Sequence, residues 1–434
     1  MTSKGADSTK GKKVGTRKQP GAIRRFLSIL GPGVVTGAAD DDPSGIATYS
    51  IAGAQLGTSL LWTAFLTWPL MAAVQMACAR IGMVTGAGLA DALRKKFPRY
   101  VLIAIALALF GANTINIAAD LSGMADAAEM LCGLNSHYFV VVFGVALAVA
   151  TIRLRYRQIA SALKWLALVL FAYVITAIVV GPDWSVVLRD AILPSLPRGR
   201  EAWGTLVAIL GTTISPYLFF WQASQEVEEE KGIGETRLAE RRGATQHELA
   251  NRRLDVGVGT FFSNMVMFFI ILTTALTLHR HGVTHPQTSR EVAEALRPFG
   301  GRFTQILYTT GLVGVGLLAI PTLSGSAAYA FAETFRWKQG LDRSLKSARA
   351  FYFIVIVSTV LGIALDFLKV NAVRALYWSA VVNGLLAPFL LVGIIVVASD
   401  PKIMDGQPIS RLSRVTIGAT AGLMFAAAVG MFAL

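Results

Sequence analysis

Apolar residues in this chain run in long blocks separated by short polar segments, and the blocks are hydrophobic on every side. Blocks of about twenty residues fit helices that cross a lipid bilayer. Eleven such spans are predicted, near residues 28–53, 58–82, 100–131, 138–152, 158–181, 202–225, 255–279, 304–334, 350–367, 373–397 and 414–433. The sequence lacks the alternating ten-residue pattern of an outer-membrane barrel. The expected fold class is an all-α polytopic membrane protein. Residues 1–25, rich in Lys, Gly, Ser and Thr, form an expected disordered head, and residues 26–434 form a single transmembrane domain.

Two spans are interrupted. Span 1 carries DDDPSG at residues 40–45, and span 6 carries GTTISP at residues 211–216. Pro43 and Pro216 thus fall in the first helix of a first group of five and the first helix of a second group. An odd number of spans per group inverts the second group relative to the first. This gives repeats over about 28–181 and 202–397, with an extra helix at about 414–433. Interrupted helices at corresponding positions point to a transporter binding site near the midplane. Irregular backbone at that depth is tolerated where it lines a cavity or is buried in protein.

Composition agrees: 54% of residues are hydrophobic, 15% are charged, and the mean hydropathy is +0.56. The net charge of +14 suggests nucleic-acid binding only until the charges are located. With the N-terminus inside, most of the 40 Lys and Arg fall on inside segments, which predicts N-in, C-out topology in the cytoplasmic membrane. The basic head is then an orientation signal and a contact for anionic lipid, with no nucleic-acid partner. The first apolar block starts late and lacks a cleavage pattern, so no signal peptide is expected. Cys78 and Cys132 both fall in spans, which supports neither a disulfide framework nor a Cys metal site. His279, His281 and His285 read as part of a solvated outside loop.

The first break concentrates acid where lipid-compatible residues belong. An ionised Asp facing lipid at a helix centre costs roughly 2.5–3.5 kcal/mol on the mildest scale. Asp40, Asp41 and Asp42 also repel one another, and an unwound helix end exposes carbonyls at the negative pole of its dipole. A cation relieves all of these terms. The groups near the breaks are the three carboxylates, the hydroxyls of Ser44, Thr212, Thr213, Ser215 and Tyr217, and backbone carbonyls. Neither break contains Cys, Met or His. An all-oxygen set suits Mg²⁺, Ca²⁺ and Mn²⁺ better than soft transition metals. Magnesium keeps much of its water, so a few carboxylates in a roomy cavity suffice for it.

GPG, then Asp-Pro, then Ala-Thr and Ala-Gly-Ala, resembles the first helix of NRAMP-family divalent-metal transporters, and G-x-x-x-x-P at 211–216 falls at that family's sixth-helix motif. The resemblance covers spans 1–10. It implies a LeuT-like fold of inverted 5+5 repeats, with broken helices 1 and 6 and metal bound between them. By position, the family's metal-binding Asp falls on Asp42, and its Gly and Asn fall on Ser44 and Gly45, so the Asn ligand is missing. The backbone-carbonyl ligand falls on Thr212, the methionine on Ser215 and the following histidine on Tyr217. The acidic residue of the proton path falls on Asp120, with Gly123 where a glutamate is usual, and the tenth-helix glutamine falls near Ala380, with Asn383 one turn on. Loss of the soft ligand and gain of Asp40 and Asp41 is similar to the NRAMP-related branch associated with magnesium.

The expected function is a secondary transporter or uniporter for Mg²⁺, Mn²⁺ or both. It is monomeric, not an enzyme, and without cofactor, since the cation is substrate. Asp42, Asp41, Gly45, Thr212 and Ser215 form the expected metal site, and Asp40, Ser44, Tyr217, Asp120 and Asn383 the cation pathway. A proton-coupled Mn²⁺/Fe²⁺ symporter and a cation-coupled symporter of small organic solutes are the alternatives. Glu226, Glu228, Glu229 and Glu230 read as a solvated helix end rather than an acidic exit vestibule, and Asp126 and Glu129 either as an entry path or as helix-end solvation. Trp62, Trp68, Trp184 and Trp203 read as interface anchors or packing.

Overall fold

The computed structural model describes residues 31–153, 169–195, 199–235, 237–341, 343–368 and 370–433. The basic head therefore lies outside the described residues, as do the first residues of span 1 and much of span 5. The first five-helix group comprises α1 (Pro32–Asp40), α2 (Pro43–Leu56), α3 (Trp62–Thr85), α4 (Arg99–Cys132), α5 (Ser136–Arg153) and α6 (Phe171–Val180). The second comprises α7 (Arg200–Thr213), α8 (Pro216–Gly232), α9 (Gln246–Thr277), α10 (Thr304–Phe335), α11 (Arg349–Asp366) and α12 (Ala372–Ala398). A final helix, α13 (Arg411–Ala433), packs on α7 and α12. Among the described residues nine helical stretches are long and apolar enough to cross a membrane. The broken α1/α2 and the described end of span 5 complete the eleven predicted from hydropathy.

Most predicted boundaries fall within three residues of the helix ends. The exceptions have physical causes. α9 starts nine residues before the predicted 255, because a capping box at Thr245 and Glu248 begins the helix in its polar foot. α8 runs on to Gly232, since its four glutamates are compatible with helix and Lys231 sits in its last turn.

Both breaks lie where the sequence places them, and proline explains their backbone. A residue before proline is driven to extended geometry. Asp42 (φ −71°, ψ 170°) and Ser215 (φ −77°, ψ 132°) both adopt it, and each proline opens the next helix at its first position.

The spans with breaks occupy the interior. The most apolar stretch of Arg200–Gly232 is 94% buried, against 22% for Ser136–Arg153, which therefore faces lipid on most sides. Glycine brings the broken helices onto their neighbours. A Cβ on Gly37 of α1 would lie 2.4 Å from the Gly259 carbonyl oxygen of α9. A Cβ on Gly211 of α7 would lie 2.1 Å from the Ala380 oxygen of α12. These are backbone-to-backbone contacts that no other residue permits.

Candidate cation site

The three aspartates of the first break divide between two neighbours. Asp42 is the N-cap of α2, its Oδ1 accepting from the Gly45 amide at 2.7 Å. Its Oδ2 accepts from Asn116 Nδ2 of α4 at 3.0 Å, and the same nitrogen donates to Asp120 Oδ2 at 3.2 Å. Asn383 Nδ2 of α12 reaches Asn116 Oδ1 at 3.4 Å. Asp40 and Asp41 turn the other way, to α9, where Ser263 Oγ lies 2.7 Å from Asp40 Oδ2 and 3.2 Å from Asp41 Oδ1. Asp40, Asp41, Asp42 and Asp120 are all buried, and among the described residues no Lys, Arg or His pairs with any of them.

The second break meets the first at Gly45. A Cβ there would sit 3.2 Å from Thr212 Oγ1 and 3.5 Å from the Asp40 carbonyl oxygen. Glycine therefore leaves a cradle lined by oxygens from both breaks. Thr212 Oγ1, Ser44 Oγ and Asp40 Oδ1 are buried and have no hydrogen-bond partner among the described residues. Asp42, Gly45 and the Thr212 hydroxyl thus lie together, while the Thr212 carbonyl, which the resemblance implies as a ligand, accepts from Ser215 Oγ. Ser215 Oγ donates to the Gly211 and Thr212 carbonyls at 2.9 and 2.7 Å, closing the end of α7. Tyr217 Oη donates to the Ala39 carbonyl at 2.9 Å, and Tyr49 Oη lies 3.1 Å from Thr213 Oγ1. These two tyrosines tie the halves of the breaks across the site.

Among the described residues no three His, Cys, Asp or Glu side chains converge as a closed metal cage. The donor set is instead one or two carboxylates with hydroxyls, amides and carbonyls. Such a set holds a hard cation loosely and leaves room for its water.

Several functional residues were not picked out from sequence. Asn116 and Ser263 sit in apolar spans, but each belongs to a polar face: Asn113, Asn116 and Asp120 on α4, and Thr260, Ser263 and Asn264 on α9. That helical spacing was the signal.

At the foot of α1 a second polar cluster binds three helices. Asp255 of α9 accepts from the amides of Gly31 (2.8 Å), Gly33 (2.7 Å) and Val34 (3.1 Å), which are the orphan donors of the first turn. Arg252 pairs with Asp255 at 2.6 Å and with Glu226 of α8 at 2.8 Å, and also with Glu229. The reading of the glutamates as a solvated helix end is corrected for Glu226, which is 1% exposed because α9 supplies its partner. A cleft of about 590 Å³ opens beside this cluster, lined by Glu226, Glu229, Glu230 and Glu248 among others.

The remaining polar residues have structural partners. Asp126 accepts from the Ser289 amide and Glu129 from the Ser136 amide, each starting a following helix. His279, His281 and His285 bond separately to the Ala54 carbonyl, the Thr277 carbonyl and Gln55. Trp62 Nε1 donates to the Ser195 carbonyl, while Trp68 and Trp184 are partly exposed and Trp203 packs against Gly430. Cys78 and Cys132 are both free thiols.

A family model described as "Natural resistance-associated macrophage protein-like" matches residues 33–434. Among curated proteins, the "Divalent metal cation transporter MntH" of Yersinia pestis (strain Pestoides F) is 28% identical over 324 residues, covering 73% of this chain and 75% of that protein. The protein of the same name from Yersinia enterocolitica is 25% identical over 409 residues, covering 91% of this chain and 92% of the relative. Among solved structures, a manganese transporter from Eremococcus coleocola, in complex with an aromatic bis-isothiourea substituted compound, superposes with a TM-score of 0.74 at 17% identity. It covers 95% of this chain and 90% of its own. The inward-facing conformation of Mhp1 superposes with a TM-score of 0.54 at 16% identity, covering 92% and 90%. Both likenesses concern the fold, a LeuT-like arrangement with its first and sixth spans broken.

Proposed function

This chain belongs to the natural resistance-associated macrophage protein-like (Nramp) family, and from that premise we propose that it carries divalent metal cations, Mg²⁺ or Mn²⁺, across the cytoplasmic membrane by alternating access. It is a multi-pass membrane protein whose relatives are named as divalent metal transporters, not enzymes. The cation rests between the two breaks, with Asp42 as its anchor and Thr212 and the Gly45 cradle beside it. One observation carries this reading: a buried carboxylate cluster without a basic partner among the described residues meets the oxygens of two interrupted helices at one glycine. Burying such charge without compensation costs several kcal/mol, which a divalent ion removes.

The oxygen-only donor set supports a hard ion over a soft one. Asp120 and Asp42 share the Asn116 amide, and Gly123 stands where the resemblance implies a glutamate; this supports transport without a matched proton flux. The positive charges of the inside segments support N-in, C-out topology.

Uptake of Mg²⁺ and Mn²⁺ into proteoliposomes, with internal pH recorded in parallel, tests the proposal. Uptake of both ions should be lost in Asp42→Ala, with no acid influx accompanying transport by the unaltered protein. Retained uptake in Asp42→Ala would sink the site, and a matched acid influx would establish the proton-coupled alternative.

A further inference from the structure

We propose that Asn116 is an amide switch at the cation site, holding Asp42 and Asp120 when the site is empty and presenting its carbonyl oxygen to the cation when it is filled. The inference rests on the reading of the breaks as a cation site and adds a residue, and a reason for divalent charge, that the breaks alone do not give.

Asn116 is fully buried on α4, and its one nitrogen serves two carboxylates, Asp42 Oδ2 at 3.0 Å and Asp120 Oδ2 at 3.2 Å. An amide nitrogen carries two N–H donors, so each carboxylate receives one. That nitrogen stands where a cation bridging the two acids would stand. Two facing carboxylates match the charge of one divalent ion, and the amide is its neutral substitute.

A transporter must also pass through a state with the site empty. Asp42 and Asp120, buried side by side with no donor between them, would penalise that state heavily. A lysine would satisfy them permanently and exclude the substrate. An amide does neither, because rotation about its last side-chain bond exchanges donor for acceptor.

The surroundings accommodate both orientations. With nitrogen toward the acids, Asn116 Oδ1 accepts from Asn383 Nδ2 at 3.4 Å. Asn383 is buried, and its Oδ1 has no hydrogen-bond partner among the described residues. When Asn116 turns its oxygen to the cation, its nitrogen faces Asn383, and the unused Oδ1 of Asn383 is the acceptor that a matching turn supplies. The two amides therefore keep one hydrogen bond between them in either orientation.

Mg²⁺ binding to the purified full chain by calorimetry, and Mg²⁺ uptake by proteoliposomes, test this switch. Asn116→Ala should weaken Mg²⁺ binding at least tenfold. Asn116→Asp, which keeps an oxygen but no donor, should bind more tightly than Asn116→Ala and turn over more slowly than the unaltered protein, since its empty state has lost the stand-in. Asn383→Leu, which leaves every carboxylate in place, should weaken binding severalfold and supplies the test if Asn116→Ala does not fold. Unaltered Mg²⁺ affinity in Asn116→Ala, or in Asn383→Leu when Asn116→Ala does not fold, overturns the switch, as does equal behaviour of the Ala and Asp variants. Failure of the unaltered protein to bind Mg²⁺ or Mn²⁺ would instead overturn the cation site, and the switch with it.

Discussion

Asp255→Asn isolates the hold on α1, the shorter half of the first broken helix. The carboxylate accepts three amides of the first turn and pairs with Arg252. Asparagine has nearly the same shape but only one acceptor oxygen. The substitution removes a negative charge from a helix N-terminus, worth about 0.3–2 kcal/mol. It also turns a donor toward an N–H or the guanidinium, and an unsatisfied buried donor costs about 1–3 kcal/mol. The two terms together come to about 1.3–5 kcal/mol. At its first turn α1 is held chiefly by Asp255, whereas its far end keeps the bonds of Tyr217 to the Ala39 carbonyl and of Ser263 to Asp40. The expected result is local release of α1 rather than global unfolding. Since every 1.4 kcal/mol is tenfold, exchange of the amides at residues 35–40 should rise by about 10–4,000-fold. Hydrogen exchange read by mass spectrometry measures this, with α4 as an internal reference. Those amides do not bond to Asp255 themselves, so unchanged exchange there would refute the idea that Asp255 holds the helix.

Three further outcomes follow from the geometry. Gly37→Ala puts a methyl group against the Gly259 carbonyl and should destabilise the protein by about 1–3 kcal/mol, read as a lower melting temperature; an unshifted melt would mean that α1 and α9 are not in contact there. Ser215→Met adds a soft sulfur at the end of α7 and should shift uptake from Mg²⁺ toward Mn²⁺ and Cd²⁺, as measured by competition; unchanged selectivity would place that side chain away from the ion. Glu226→Gln leaves Arg252 with Asp255 and Glu229 and should alter uptake less than Asp255→Asn, because α1 keeps its cap; the reverse order would assign the control of α1 to α8.

The membrane architecture was legible because hydropathy reports directly on lipid exposure. Most span ends among the described residues fall within three residues of those hydropathy predicts, whereas spans 6 and 7 extend beyond theirs in polar segments, span 7 from a capping box. The breaks were legible because proline and a charge run are local features, but that Thr212 turns its hydroxyl rather than its carbonyl to Gly45 is not written in its position. What sequence position could not show is which way adjacent side chains turn. Asp40 and Asp42 are two residues apart yet face different helices, since the chain leaves the helical path between them. Asn116, Ser263 and the partnership of Arg252 with Glu226 depend on which helices pack together, and no local pattern encodes that.

The account stands or falls on where the cation sits. Crystals of the full chain soaked in Mn²⁺ and recorded at a wavelength where manganese scatters anomalously would locate it. An anomalous peak is expected between the two breaks, within coordinating distance of Asp42 and next to Gly45 and Thr212, that is absent from Asp42→Ala. A peak elsewhere with none at the breaks, or one that survives Asp42→Ala, would contradict it.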